Sequence, residues 1–305
     1  MQNSKLSSYG IALAIVGIVL FSAKAVLVKL AYKFEISSEH LLLFRMLFSL
    51  PIYIVLALYK KPVEKNKIRR IDYLWILFFG FVGYYLASYF DFLGLQYIKA
   101  GLERIILFIY PTLVIIISRI FLKNIITKRQ LLAILLTYIG VIVTFWGELQ
   151  IETTHVILGG ALVFLSALTY AIYLVGSGWL IPKFGVVTFT SYAMIVSSLC
   201  IIIQYLVFDR QNIMNYPLEV YFICIIMAVF STIIPSYLVS AAIAKLGASN
   251  FSIIASLGPV STILLAYFLL GENLSIIQII GATIVILGVY VISKKKQNRG
   301  KSIRL

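Results

Sequence analysis

Ten apolar stretches, each close to the length of a bilayer crossing, succeed one another from Tyr9 to Ile292. Only a helix or a closed barrel satisfies its backbone donors and acceptors without water, and a helix needs ~20 mostly apolar residues to cross the ~30 Å hydrocarbon core. The stretches are 9–30, 41–59, 73–97, 101–122, 131–146, 156–181, 187–208, 218–244, 248–270 and 276–292. They predict an all-α integral membrane protein of ten transmembrane helices. Hydrophobic residues make up 62% and charged residues 12% of the 305, so spans and short loops use nearly the whole chain and no soluble catalytic domain fits. The first stretch has no small-residue cleavage site before a mature domain and reads as a permanent helix rather than a removable signal. Cys200 and Cys224 both fall inside spans and read as small buried hydrophobes, not as a disulfide or metal pair.

The net charge of +15 would suit a nucleic-acid partner, but the placement of the basic residues points to the bilayer instead. With the N-terminus in the cytoplasm, the inner segments hold 18 Lys and Arg, six of them from Lys60 to Arg70 and six from Lys294 to Arg304. The outer loops hold three, Lys33, Lys99 and Arg210. Basic residues are retained on the cytoplasmic side, so this asymmetry predicts a multi-pass protein of the cell (inner) membrane with both termini cytoplasmic. The tail 294–305 reads as a topology anchor that also suits anionic lipid head groups.

Residues 99–143 lie without a gap on 247–291 when shifted by 148 positions: Pro111 meets Pro259, Leu122 meets Leu270, Gln130 meets Gln278 and Gly140 meets Gly288. A shift of 150 places Gly10 on Gly160 and Lys33-Phe34 on Lys183-Phe184. The chain is therefore expected to contain two five-helix repeats, 1–147 and 153–293, and an odd number of spans per unit inverts the second relative to the first. Inverted repeats recur in secondary transporters, whose substrate site lies between the halves. Pro259, Gly271-Glu272, Gln278, Gly281 and Gly288 resemble the helix 9 to helix 10 signature of the drug/metabolite transporter superfamily, specifically its EamA branch of ten-helix proteins. The first copy departs from that signature, with Lys123-Asn124 in place of Gly-Glu and Ala133 in place of Gly. The resemblance spans almost the entire chain and implies an exporter or importer of small metabolites with no nucleotide motor.

Six ionisable residues fall within the expected spans in ways a lipid-facing helix would not tolerate: Lys24, Arg45, Asp91, Glu103, Arg104 and Arg119. A charge at mid-membrane costs ~2.5–3.5 kcal/mol on insertion scales, so each is a candidate for function. Arg119 lies near an inner helix end, where a long side chain snorkels to the head groups. The other five share a depth near the outer ends, Lys24 and Asp91 about 9 Å in. Two readings stand for them. They form a paired network that fixes helix packing, with Asp91 paired to Arg45, Lys24 or Arg104. Or Arg45 or Lys24 meets a substrate carboxylate or phosphate, while Asp91 or Glu103 meets an ammonium group or a proton; Asp91, Glu103 and Arg104 are then the coupling cluster.

Uncharged polar residues extend this lining. Tyr84, Ser88 and Asp91 share a face of the third span, and Ser166, Thr169, Tyr170, Tyr173 and Ser177 form a stripe on the sixth. Ser231, Pro235 and Ser236 on the eighth span, with Ser252, Ser256 and Pro259 on the ninth, continue it. Such stripes also serve as helix-to-helix packing seams. The expected substrate site comprises Lys24, Arg45, Tyr84, Ser88, Asp91, Tyr170, Tyr173, Ser236 and Ser256. At the positions matching Lys24, Asp91, Glu103 and Arg104 the second repeat has Leu174, Val239, Phe251 and Ser252, which predicts a cavity charged on one side only. Proline interrupts spans at Pro51, Pro111, Pro235 and Pro259; the matched pair Pro111 and Pro259 are hinge candidates.

No enzymatic constellation appears. His40 and His155 are expected in separate outer loops without metal-ligand spacing, there is no Walker-type glycine loop, and no cofactor or metal is called for. The leading function is secondary transport, by alternating access, of a small organic metabolite, most simply an amino acid or related zwitterion, with efflux and proton coupling as expectations. A larger anionic or nucleoside-containing metabolite is the alternative cargo. A membrane-embedded enzyme or receptor is the alternative of another class. The sequence carries no signature of an oligomeric state.

Overall fold

The computed structural model describes residues 7–95, 97–98, 103, 106–144, 146, 156–208, 213–271 and 274–293, and among them only helices, turns and loops occur. Ser7 caps α1 (Ser8–Tyr32) by accepting from the Gly10 amide, and Ser37 caps α2 (Ser38–Tyr59) by accepting from the His40 amide. Then come α3 (Arg70–Gly80), a π-helical segment Phe81–Leu86 and α4 (Ala87–Leu95), which run on without a break. The first repeat closes with α5 (Tyr110–Phe121) and α6 (Lys128–Thr144). The second opens with α7 (Val156–Phe184) and α8 (Val186–Phe208). Next is α9 (Leu218–Ala228), a π-helical segment Val229–Ile233 and α10 (Ile234–Leu246). Finally α11 (Ala248–Ile254), α12 (Leu257–Leu270) and α13 (Ile276–Ser293) complete the chain.

Eight of these rods are long and apolar enough to cross a membrane; α5, with 12 residues, is a shorter apolar helix and α6 has 17. Their exposed surface is dominated by Ile, Leu, Val and Phe, which in a bilayer is the lipid-facing side. The protein is thus a multi-pass helical membrane protein.

Departures from regular helix recur at matched positions. The two π-helical segments start 148 residues apart, and a π-turn adds a residue to the turn and rotates the helix beyond it. Turn residues 108–109 precede α5, and 255–256 precede α12, so each helix restarts just before Pro111 or Pro259. Pro235 comes directly after the start of α10, beyond the second π-helical segment, whereas Pro51 sits inside a continuous α2 rather than interrupting it.

The contacts obey the same symmetry. Helices α6 and α13 cross antiparallel, with a Cβ placed on Gly140 falling 2.7 Å from the Val285 amide and 2.8 Å from the Gly281 carbonyl. A Cβ on Gly288 would lie 2.8 Å from the Thr137 methyl and 3.0 Å from the Ala133 carbonyl, and these partners are the first contact shifted by 148. An antiparallel crossing whose contacts map onto themselves under exchange of the repeats is a pseudo-two-fold, which is what an inverted duplication requires. Each repeat also lends its first helix to the other: α1 packs on α10 and α12, and α7 packs on α4 and α5.

Candidate functional site

Between the repeats lies a cavity of about 190 Å³. Its walls come from α1 (Ile18, Phe21, Ser22, Lys24), the π-segment and α4 (Gly83, Tyr84, Ala87, Ser88, Asp91), the approach to α5 (Leu107, Phe108, Tyr110) and α7 (Ser166, Tyr170). Val239, Phe251, Ala255, Gly258, Pro259 and Thr262 complete it from the second repeat. Three pairs among these are repeat mates 148 residues apart: Asp91 and Val239, Leu107 and Ala255, Tyr110 and Gly258. The cavity therefore sits astride the pseudo-two-fold, and its chemistry breaks that symmetry.

Both charged lining residues come from the first repeat but stand on different walls, Lys24 on α1, which packs on α10 and α12, and Asp91 on α4, which packs on α7. Lys24 and Asp91 line the same cavity, and the Lys24 ammonium lies 5.4 Å from the Phe21 ring centre. Among the described residues Asp91 forms no ion pair with Lys24 or Arg45, and its Oδ1 is buried with no hydrogen-bond partner. The pairing expected for Asp91 is thus not formed with either of these cations, and Arg104 lies outside the described residues. Glu103 is buried at 1% exposure.

Aromatic rings build the remaining wall. Tyr84 meets Tyr173 edge-on at 5.0 Å between centroids, Tyr110 meets Tyr170 at 5.5 Å, and Tyr170 stacks on Tyr173 at 6.3 Å. A Cβ on Gly83 would overlap the Tyr173 ring, so glycine there is what lets α7 approach this close.

Of the nine residues expected at the substrate site, Lys24, Tyr84, Ser88, Asp91 and Tyr170 line the cavity. Tyr173, Arg45, Ser236 and Ser256 are not among its lining residues. Tyr173 backs the wall, 1% exposed behind Tyr84 and Tyr170. Arg45 is 6% exposed, its Nε without a hydrogen-bond partner among the described residues. Ser236 Oγ lies 2.9 Å from the Tyr53 hydroxyl and donates to the Ile233 carbonyl, while Ser256 is fully buried. The stripe on α7 is partly a seam: Ser166 donates to the Ala87 carbonyl across to α4 at 2.7 Å, whereas Thr169 and Ser177 bond back to their own helix.

Phe21, Phe108, Tyr110 and Phe251 line the cavity without having stood out in sequence, because an aromatic residue in an apolar helix has no signal separating cavity from lipid. His40 corrects an expectation: it is not in a loop but in the first turn of α2, 2% exposed, with Nδ1 2.6 Å from the Tyr216 hydroxyl. His155 lies outside the described residues. Arg119 is exposed near the end of α5, its guanidinium donating to the Asn124 carbonyl at 3.4 Å, as a snorkelling anchor would be. Cys200 and Cys224 are free thiols. Among the described residues no group of three or more His, Cys, Asp or Glu is placed to hold a metal.

The sequence matches the EamA-like transporter family twice, over residues 8–146 and again over 157–294. The uncharacterized transporter YcbK of Bacillus subtilis (strain 168) is 28% identical over 98% of this chain and 98% of its own length. The uncharacterized transporter YyaM of the same strain is 27% identical over 79% of this chain and 80% of its own. An uncharacterized transporter of Archaeoglobus fulgidus is 29% identical over 67% of this chain and 71% of its own. A solved crystal structure superposes with a TM-score of 0.77 over 93% of this chain and 96% of its own at 14% identity, a shared fold. Two copies of one sequence family, related by the pseudo-two-fold on which the cavity lies, place this chain in the EamA-like transporter family.

Proposed function

We propose that this membrane transporter carries a small organic zwitterion, an amino acid or a close relative, by alternating access, with efflux as the expected direction. The observation that carries the reading is the cavity lining: Lys24 on α1 and Asp91 on α4 offer opposite charges, and Tyr84, Tyr110 and Tyr170 offer aromatic faces. An ammonium group suits Asp91, a carboxylate suits Lys24, and an apolar side chain suits the rings. Size supports the same class, because about 190 Å³ is below the ~300–1,000 Å³ of pockets for drug-sized ligands and leaves little room for a nucleoside. Asp91, with a buried oxygen that no hydrogen bond engages among the described residues, is also the residue best placed to carry a coupling proton.

Purified protein in proteoliposomes, loaded with a panel of amino acids, amines, carboxylates and nucleosides, tests this. Counterflow of an unmodified zwitterion is expected, and it should collapse in Asp91→Asn and in Lys24→Gln. Flux confined to nucleosides or dianions would overturn the zwitterion reading, and chemical change of the substrate would overturn transport itself. The basic asymmetry supports cytoplasmic termini; an Asn66→Cys variant should then react with an impermeant maleimide only after cells are opened.

A further inference from the structure

The end of the bundle remote from the cavity is laced across the repeats by a partly buried ion pair. Lys183, in the last turn of α7, donates to Asp72 Oδ1 in the first turn of α3 at 3.0 Å. The Asp72 side chain is 3% exposed and that of Lys183 27%. Asp72 Oδ2 also accepts from the Arg69 amide at 2.9 Å, which fixes the carboxylate against its own helix start. The Lys183 ammonium lies 4.7 Å over the Trp179 ring. Backbone bonds bring the segment before α3 to the same place, from the Glu64 amide to the Lys183 carbonyl at 3.0 Å and from the Val63 amide to the Phe184 carbonyl at 3.4 Å. Tyr73 closes edge-on against Phe184 at 5.2 Å.

At the opposite end the repeats meet through a hydrogen bond, with His40 Nδ1 2.6 Å from the Tyr216 hydroxyl. The repeat mate of Asp72 is Val220, fully buried in an apolar cluster with Ala31, Ile36 and Met227. The mate of Lys183 is Lys33, which is exposed. Gly83, the nearest cavity residue on that rod, lies 11 residues beyond Asp72 and Tyr170 13 before Lys183, so the pair sits about 16–20 Å along the helices from the cavity. A hydrogen-bonded ion pair with a buried carboxylate is made or broken as a unit, because separating it leaves an uncompensated charge. Apolar contacts slide at lower cost.

We infer that Asp72 and Lys183 form an ionic gate, which holds this end of the pathway shut while the cavity faces the other and must open for substrate to pass. The inference rests on the alternating-access reading of the cavity, but labelling without substrate tests it separately from transport. In a Cys200→Ala, Cys224→Ala background, one reporter is Ser177→Cys, fully buried on α7 toward the gate, and a second is Ser88→Cys at the cavity. Asp72→Asn keeps an acceptor for the Arg69 amide and removes only the charge; Lys183→Gln removes the other partner.

Both variants should raise the rate at which a water-soluble maleimide labels position 177 about tenfold and lower it at position 88, the size of a typical coupling between two states. Lys183→Arg, which keeps the charge, should label more like the parent than Lys183→Gln does. Unchanged labelling at both reporters in variants that remain monodisperse would overturn the gate, as would a lowered melting temperature with no change in labelling. If Asp72→Asn does not fold, the contrast between Lys183→Arg and Lys183→Gln decides.

Discussion

The two repeats share a backbone and differ in chemistry. Their π-helical segments, Phe81–Leu86 and Val229–Ile233, begin at the same repeat position, and their helices restart just before the same proline. At the cavity the mates part: Lys24 against Leu174, Asp91 against Val239, Tyr110 against Gly258. The duplication thus kept the features that set where helices bend and approach, while the side chains facing the shared axis diverged. A pseudo-two-fold with identical walls would present a zwitterion with two equivalent poses. A cation and an anion whose repeat mates, Leu174 and Val239, are uncharged give it a single orientation.

The largest expected effect concerns the shared backbone. Gly140→Leu forces a side chain against the Val285 amide and the Gly281 carbonyl, and neither backbone group can yield without parting α6 from α13. Overpacking of this kind costs about 1–3 kcal/mol or more, so the variant should aggregate or melt well below the parent, and Gly288→Leu should match it. A large loss in one and none in the other, by thermal unfolding in detergent, would break the equivalence of the two repeats.

Next in size is a transplant of charge. Exchanging Asp91→Val with Val239→Asp keeps composition and moves the carboxylate across the axis. The protein should fold, yet transport should fall at least about tenfold, because Val239 lies on α10 against α1, so the exchange puts the carboxylate on the wall that already carries Lys24 and leaves the α4 wall uncharged. Parental flux from the exchanged protein would show that only the presence of a carboxylate matters.

The smallest effect belongs to the aromatic wall. Tyr84→Ala and Tyr170→Ala should raise the half-saturation concentration roughly three- to tenfold, the range given by ~0.5–1.5 kcal/mol per aromatic contact. Tyr205→Ala, beside His40 and away from the cavity lining, should change it little. Equal effects at all three positions would dissolve the distinction between cavity wall and packing aromatics.

Much of the architecture is legible in the chain alone. Except for α5, which begins nine residues into the stretch 101–122, the helix rods start and end within a few residues of the apolar stretches, because length and hydropathy decide which segments can cross a bilayer. Five of the nine expected site residues line the cavity, since polar residues in a spanning helix turn toward the interior. Tyr173 stands one layer behind its expected place, as helical periodicity gives a face and not which of two rings stands in front. Asp72 and Lys183 lie near helix ends, where charges ordinarily meet water, so nothing in their spacing marks them as partners 111 residues apart.

By itself the sequence determined the bilayer as solvent, the number and order of apolar segments and the duplication, because these are properties of composition, periodicity and self-similarity along one dimension. Only the tertiary structure decided that α1 and α7 cross into the opposite repeats, that Asp91 stands in the cavity with neither Lys24 nor Arg45 paired to it, and that Asp72 is paired with Lys183 while its repeat mate Val220 lies in an apolar cluster. Those facts depend on which faces meet when helices pack, and a helix's own pattern says what it buries but not against whom.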